Sequence, residues 1–244
     1  MTEELMEKKT KAIHQNARSH DFIDSILELR PRLAVFDCDG TLWGGDAGER
    51  FFDWELKRKL VSVEVERRMR TRYAEYQAGR VSEDEMCGEM VTMHKGLKES
   101  DVLGLAREFF EQNFVQQIFP EMQELVRRLQ LQSCDVWAVS STNEWVIREA
   151  MQHFRIARER ILAAAVEVND DVISDRLIRV PSGPGKPKAI LDVIGHAPDI
   201  AFGNSRWDVD MLALAKRAIA VNPNPDLEKL AQKKAWTIYW PAKN

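Results

Sequence analysis

The sequence predicts an α/β fold, with a parallel sheet covered by helices on both faces and a helical segment inserted after the first strand. Two observations support this prediction. Short apolar runs alternate with helical patterns from residue 120 onward, an order typical of parallel sheets. Between residues 43 and 117, strand patterns vanish and apolar residues recur at helical spacing.

The bulk composition is that of an ordinary globular domain, with 44% hydrophobic and 30% charged residues in a chain of 244. The net charge of -4 provides no basic surface for nucleic acid or anionic lipid. No apolar run approaches the roughly 18 residues of a membrane span. Residues 1–11 lack the apolar centre of a secretory signal, and three cysteines without a C-x-x-C pair argue against a disulfide framework. We expect a cytoplasmic protein without nucleic-acid or membrane partners, and the oligomeric state stays open.

The first half of the chain divides into an extension, a strand and an insertion. Residues 1–30 are predicted to form a helical extension that packs on the core through Ile13, Phe22, Ile23, Ile26 and Leu27. A buried strand is predicted at residues 33–36. Residues 43–117 are predicted to form a separate helical domain, in which Ser82 caps a helix with Glu85 at N3. The core then comprises residues 31–42 and 118–244.

The second half is predicted to supply the rest of a Rossmann-like sheet. Helices are expected at residues 121–131, 144–153, 186–194 and 209–216, and strands at 135–140, 161–168, 172–179, 199–203, 218–221 and 237–240. The strands at 161–168 and 172–179 are predicted to form a hairpin. Ligands bind at the carboxyl ends of the strands in such sheets. Asp37, Ser140 and Asn204 follow three of the strands, so we expect them to lie together.

The string L-A-V-F-D-C-D-G-T-L at residues 33–42 carries the strongest chemical signal. Asp37 and Asp39 are spaced i, i+2, which places both side chains on the same side of an extended strand. One carboxylate can then attack a substrate while the other transfers protons, and together they can hold a divalent cation. The alternative is a solvated acidic turn. The flanking residues favour the first interpretation, because the string resembles motif I of the haloacid dehalogenase-like (HAD) hydrolases, a superfamily composed mostly of phosphatases.

Three further strings resemble the remaining motifs of this superfamily, in order. Ser140 directly follows V-W-A-V and fits motif II better than Ser141, although this stretch is also an ordinary helix-capping loop. Lys186 follows Gly185 in a motif III-like string. A lysine at a helix start is unfavourable for the helix dipole, which favours a functional reason for it; Lys188 is the competitor.

The fourth string, G-N-S-R-W-D-V-D-M-L from residue 203, resembles motif IV with one departure. Asn204 stands where the family usually has an Asp, whereas Asp208 is retained and Asp210 lies near. An asparagine offers Mg²⁺ a carbonyl oxygen but no charge. The expected effect is weaker metal affinity.

The resemblance implies a role for each of these residues. Asp37 would be the nucleophile that forms an aspartyl-phosphate, and Asp39 the general acid and base. Gly40, Ser140 and Lys186 would bind the phosphoryl group. Mg²⁺ would be held by Asp37, the Asp39 backbone carbonyl, Asn204 and Asp208.

The same resemblance makes residues 43–117 a C1-type cap and places the chain in the phosphoserine-phosphatase-like branch. Asp46 lies nine residues after Asp37, where that branch has a Glu that contacts the substrate's amino group. A solvated acidic loop is the alternative for Asp46.

The predicted function is Mg²⁺-dependent hydrolysis of a small soluble phosphate ester. Halide-removing relatives generally lack the second Asp of motif I, so Asp39 disfavours dehalogenation. Two alternatives remain open. One is a phosphotransferase or phosphomutase that uses the same intermediate, and the other is a non-catalytic binding protein whose metal site Asn204 has weakened.

Overall fold

The structure is a computed structural model, which describes residues 19–242. The first helix among these residues, α1, covers residues 19–28. The predicted contacts Phe22, Ile23, Ile26 and Leu27 are all buried on this helix, and the Phe22 ring stacks on Tyr239 at 3.7 Å between centroids. The part of the predicted extension that includes Ile13 lies outside the described residues.

Seven strands form one sheet with the order β4-β3-β2-β1-β5-β6-β7. Their bounds are β1 Leu33–Phe36, β2 Asp135–Asn143, β3 Ile161–Asn169, β4 Val172–Arg179, β5 Ile200–Gly203, β6 Arg217–Val221 and β7 Thr237–Tyr239. Neighbouring strands pair in parallel, except that β3 and β4 pair antiparallel as the predicted hairpin. The predicted α/β class is confirmed.

Helices cover both faces of the sheet. Four of them lie in the predicted insertion, residues 43–117: α2 Ala47–Lys57, α3 Val63–Gln77, α4 Glu83–Thr92 and α5 Glu99–Asn113. The others are α6 Pro120–Leu131, α7 Glu144–Gln152, α8 Gly185–Ile194, α9 Val209–Leu214 and α10 Pro225–Lys233. Successive side chains of a strand point to opposite faces. Ala34 and Phe36 accordingly join one buried cluster, whereas Val35 joins another.

The inserted helices have an apolar interior of their own, which includes Phe52, Leu56 and Met69. The predicted capping box at the start of α4 is confirmed: Ser82 Oγ accepts from Glu85 N, and the Glu85 carboxylate accepts from Ser82 N. Tyr76 in the second half of α3 and Glu83 at the start of α4 lie at the sheet edge where β1 ends.

Strand β2 extends further than the sequence predicts. We expected it to end at Ser140, but pairing with β3 resumes at Asn143 opposite Ala164 after a register shift. Ser140 is therefore within the strand and not the first residue after it. Because the irregularity spans residues 140–142, it turns their side chains toward the end of β1.

Asp199 joins the starts of three strands. Its Oδ2 accepts from Arg32 N at 2.8 Å and from Leu33 N at 3.1 Å, and its Oδ1 accepts from Lys216 Nζ at 2.7 Å. This carboxylate therefore fixes the starts of β1 and β6 relative to β5.

Cys38, Cys87 and Cys134 are free thiols. Between residues 19 and 242, no helix has both the length and the apolar character needed to cross a membrane.

Candidate active site

The carboxyl ends of β1, β2, β5 and β6 surround a cavity of about 390 Å³, which we call the catalytic cavity. It is lined by Asp37, Asp39, Gly40, Gly45, Asp46, Tyr76, Glu83, Ser140, Ser141, Thr142, Lys186, Asn204, Ser205, Trp207 and Asn222. The structure therefore brings together every site residue predicted from sequence except Asp208, which touches the site through Lys186.

Asp37 directly follows β1 and is 6% exposed. Its Oδ2 accepts from the Thr41 hydroxyl at 2.8 Å, and its Oδ1 accepts from Lys186 Nζ at 2.7 Å. Burial and the nearby Asp208 charge raise the pKa of Asp37 to about 6, against the opposing effect of Lys186. The carboxylate is thus still ionised above neutral pH, in a setting that favours a further positive charge.

Lys186 is at the start of α8 and is 2% exposed. Its ammonium donates to Asp37 at 2.7 Å, to Asp208 Oδ1 at 2.5 Å and to the Val139 carbonyl at 3.2 Å. Burial opposes the charge, but the carboxylates of Asp208 and Asp37 outweigh it and raise the pKa of Lys186. Its positive charge is therefore permanent over the working pH range.

Asp208 is 1% exposed and both of its carboxylate oxygens have partners. Oδ1 accepts from Lys186, whereas Oδ2 accepts from Asn204 N and Ser205 N, each at 2.9 Å, and from Ser205 Oγ at 3.2 Å. A Cβ on Gly203 would lie 2.5 Å from Asp208 Cβ, so only glycine permits this close packing. In this arrangement Asp208 positions the lysine and the Asn204 loop, and direct metal ligation by Asp208 stays a prediction.

Asp39 is held by three donors. Trp43 Nε1 and Ala47 N donate to Oδ1 at 2.8 and 2.6 Å, and the Thr142 hydroxyl donates to Oδ2 at 2.7 Å. Burial and the Asp46 charge raise the pKa of Asp39 to about 8, although the bonds from Ala47 and Thr142 lower it. Asp39 is accordingly protonated at neutral pH, next to an ionised Asp37. Two carboxyl groups with separated pKa values are what acid catalysis beside a nucleophile requires.

Gly40 turns the chain after the two aspartates with a φ of +73°. A Cβ at this position would lie 1.8 Å from Asn204 Nδ2. The Gly40 carbonyl accepts from Asn222 Nδ2 at 3.2 Å, which ties the turn to the end of β6. Glycine is therefore required here both by the backbone conformation and by the approach of Asn204.

The structure distinguishes the two lysine candidates by position. Lys188 has a side chain that is 76% exposed and pairs with Asp192 on the surface of α8, whereas Lys186 is inside the catalytic cavity. Ser140 and Ser141 both line the cavity. Ser140 is the more buried, and its Oγ accepts from the backbone N–H two residues on, at 3.1 Å.

The cavity offers oxygen atoms of the kind that bind Mg²⁺. Among residues 19–242, no group of three or more His, Cys, Asp or Glu side chains is arranged to hold a metal ion. The Asp37 carboxylate, the Asp39 carbonyl and the amide oxygens of Asn204 and Asn222 belong to residues that line one cavity. Mg²⁺ is bound by one or two carboxylates and keeps waters or substrate oxygens as its other ligands. This donor set fits that pattern.

Asp46 has a structural task besides lining the cavity. It is the N-cap of α2, where its carboxylate accepts from Glu49 N at 2.7 Å. Its predicted contact with a substrate amino group stays a prediction.

The sequence did not point to several residues that line or support the cavity. Thr142 and Trp43 hold Asp39, and Asn222 supports Gly40. Asn222 follows a predicted strand, so the rule that placed Asn204 at the sheet edge was sufficient to find it. Tyr76 and Glu83 come from the inserted helices. No local signal separates those two from the many other polar residues of the insertion.

A family model of the haloacid dehalogenase-like hydrolases matches residues 34–213. A histidinol-phosphatase of Neisseria meningitidis is 26% identical over 217 residues, which cover 84% of this chain and 97% of that protein. A phosphoserine phosphatase of Mycobacterium tuberculosis is 22% identical over 215 residues, which cover 84% of this chain and 69% of that protein.

Two solved structures share the fold. A protein of unknown function from Bordetella pertussis has a TM-score of 0.74 at 21% identity, covering 85% of this chain and 97% of that one. A substrate-bound phosphoserine phosphatase has a TM-score of 0.55 at 17% identity, covering 85% of this chain and 92% of that one. At these identities the likeness concerns the fold alone.

Proposed function

This chain belongs to the haloacid dehalogenase-like hydrolase family, and from that premise we propose that it is a Mg²⁺-dependent phosphatase. Its substrate is a small phosphomonoester, and the reaction passes through an aspartyl-phosphate on Asp37. The observation that carries the proposal is the pairing of two carboxyl groups in one cavity, with Asp37 bonded to Lys186 and Asp39 bonded to Thr142.

In the first step, a carboxylate oxygen of Asp37 bonds to phosphorus while the ester bond to the leaving alcohol breaks. Asp39 gives its proton to the departing oxygen. In the second step a water molecule attacks phosphorus, Asp39 takes up the proton of that water, and the bond between phosphorus and Asp37 breaks. Inorganic phosphate and the alcohol are the products. Division into two steps replaces one difficult displacement with two easier ones.

The remaining residues bind the phosphoryl group and reduce the repulsion between negative charges in the cavity. Asp37, the Asp39 carbonyl and Asn204 would hold Mg²⁺, which would neutralise negative charge on the transferring phosphoryl group. Lys186 reduces the repulsion between the Asp37 carboxylate and an anionic substrate, because its ammonium lies 2.7 Å from that carboxylate. Ser140 and the turn at Gly40 face the same cavity and bind phosphoryl oxygens.

The test is phosphate release from a panel of phosphomonoesters that includes L-histidinol phosphate and O-phosphoserine. Each reaction is run with Mg²⁺ and with a chelator. We expect Mg²⁺-dependent release by the wild-type protein and none by Asp37→Asn. Asp210→Asn is the matched control, because Asp210 is exposed and two residues beyond the buried Asp208.

Undiminished release by Asp37→Asn would contradict the aspartyl-phosphate mechanism. Phosphate that appears on an added alcohol in place of water would favour the phosphotransferase alternative. Folded protein that releases no phosphate, and is not stabilised by Mg²⁺ with phosphate, would favour the binding-protein alternative.

A further inference from the structure

A second, smaller cavity of about 100 Å³ lies between the inserted helices and the end of β2, and we call it the cap pocket. It is lined by Asp46, Gly48, Glu49, Tyr73, Tyr76, Glu83, Met86, Cys87, Met90, Ser141, Thr142 and Asn143. Asp46, Tyr76, Glu83, Ser141 and Thr142 line the catalytic cavity as well. The two cavities are therefore adjacent, and an ester bound at Asp37 could place its leaving group in the cap pocket.

The charged side chains that line the cap pocket are acidic. Asp46, Glu49 and Glu83 contribute three carboxylates, and no Lys, Arg or His among the described residues lines the pocket. Lys186 is the basic residue that lines the catalytic cavity, and its ammonium is already bonded to two carboxylates. A cationic group entering the cap pocket would meet opposite charges, whereas an anionic group would meet only like charges.

Two tyrosines hold two of these three carboxylates in place. The Tyr73 hydroxyl donates to the Glu49 carboxylate, and the Tyr76 hydroxyl donates to the Glu83 carboxylate. The centroids of the two rings lie 5.9 Å apart, and both tyrosines line the pocket, where aromatic rings add to the attraction for a cation. Met86, which is buried, and Met90 supply an apolar surface for the carbon atoms of a small ligand.

We propose that the cap pocket selects phosphomonoesters whose leaving alcohol carries a protonated amine or imidazolium and no carboxylate. This inference rests on the proposed phosphatase function and specifies its substrate class. Glu83 and Glu49 are the specificity-determining residues, and Tyr76 and Tyr73 are positioning residues that orient them. An amino-acid phosphate is discriminated against, because its carboxylate would enter an acidic pocket without a basic partner.

The first test compares kcat/KM for four esters. Propyl phosphate and O-phosphoethanolamine have the same length and differ by one positive charge. O-Phosphoserine adds a carboxylate to O-phosphoethanolamine, and L-histidinol phosphate carries an amine and an imidazole without a carboxylate. We expect O-phosphoethanolamine to exceed both propyl phosphate and O-phosphoserine by about tenfold or more, and L-histidinol phosphate to exceed all three. Equal values for O-phosphoethanolamine and propyl phosphate, or a preference for O-phosphoserine, would overturn the proposal.

The second test assigns the preference to the pocket. Glu83→Gln should lower the ratio of kcat/KM for O-phosphoethanolamine over propyl phosphate about tenfold, because it removes one carboxylate charge. Tyr76→Phe should lower the same ratio by a smaller factor, since the carboxylate stays but loses its fixed orientation. The control is Asp84→Asn, which makes the same charge change on the exposed side of the first turn of α4. An unchanged ratio in Glu83→Gln would overturn the role of that residue.

A binding measurement separates the failure of this inference from the failure of the proposed function. Calorimetric titration of Asp37→Asn with O-phosphoethanolamine and with propyl phosphate needs no turnover. Preference for O-phosphoethanolamine, in a protein whose wild type releases no phosphate, would uphold the pocket and refute the phosphatase. Release of phosphate without any binding preference would refute the pocket and uphold the phosphatase.

Discussion

In Asp208→Asn an NH₂ group replaces one carboxylate oxygen of nearly the same size, yet we expect this variant to unfold at a markedly lower temperature than the wild-type protein. Asp208 is 1% exposed, and each of its oxygens accepts hydrogen bonds, one from Lys186 and the other from the backbone of Asn204 and Ser205. Whichever way the amide is turned, its NH₂ group faces another donor. No rotamer of asparagine satisfies both sets of partners.

The magnitude follows from the burial of the pair. Breaking a buried ion pair from one side costs about 3–5 kcal/mol, because a buried charge is left without its partner. Lys186 keeps Asp37 at 2.7 Å, so we take the lower end, about 3 kcal/mol. For a chain of this size each kcal/mol lowers Tm by about 2–4 °C, which gives a decrease of about 6–12 °C.

The assay is thermal unfolding followed by tryptophan fluorescence, with chemical denaturation for the free energy. Asp210→Asn makes the same substitution at an exposed position two residues away and should lower Tm by no more than about 2 °C. Equal melting temperatures for the two variants would refute the positioning role that we derive for Asp208.

Two further predictions concern Asp39 and Asp199. Thr142→Val removes the hydroxyl that donates to Asp39 Oδ2 at 2.7 Å. We expect kcat to fall about tenfold for an ester with a poor leaving alcohol. For p-nitrophenyl phosphate we expect a much smaller decrease, because a good leaving group needs no proton. An equal decrease on both esters would contradict this role. The hydrogen bond from Lys216 lowers the pKa of Asp199 to about 2. The ionised Asp199 therefore stabilises the folded protein fully above pH 4, and this stabilisation is lost as the pH falls toward 2. Asp199→Asn should therefore lower the free energy of unfolding by about 1–2 kcal/mol at pH 7 and by progressively less below pH 4. The control Asp192→Asn, at an exposed position, should change the free energy of unfolding by no more than about 0.5 kcal/mol. A decrease for Asp199→Asn that does not depend on pH would count against the ionised pair.

The sequence by itself determined the sheet and the edge at which the candidate active site lies. Strands and helices follow from residue spacing, and that spacing is local. Ala34, Val35 and Phe36 are all apolar because both faces of β1 are covered, so a continuous apolar run marks the strand. Asp37 and Asp39 were identifiable because their spacing and the turn at Gly40 are contained in one short string.

Only the tertiary structure decided what each polar group contacts. Thr142 reaches Asp39 across 103 positions of the chain, and Lys186 reaches Asp37 across 149. The register shift that extends β2 past Ser140 depends on pairing with β3, which no pattern within β2 encodes. Such contacts arise when whole elements pack against one another, so the local spacing of residues does not predict them.

Asp208 and the cap pocket illustrate the same limit. The sequence presents Asp208 as one acid of a motif, whereas its contacts with Lys186 and with the Asn204 loop give it a positioning role. Glu83 and Tyr76 are seven residues apart on two different inserted helices, yet both line the catalytic cavity. Residue spacing determines which elements form, and the packing of the inserted helices against the sheet edge determines which of their side chains line the catalytic cavity.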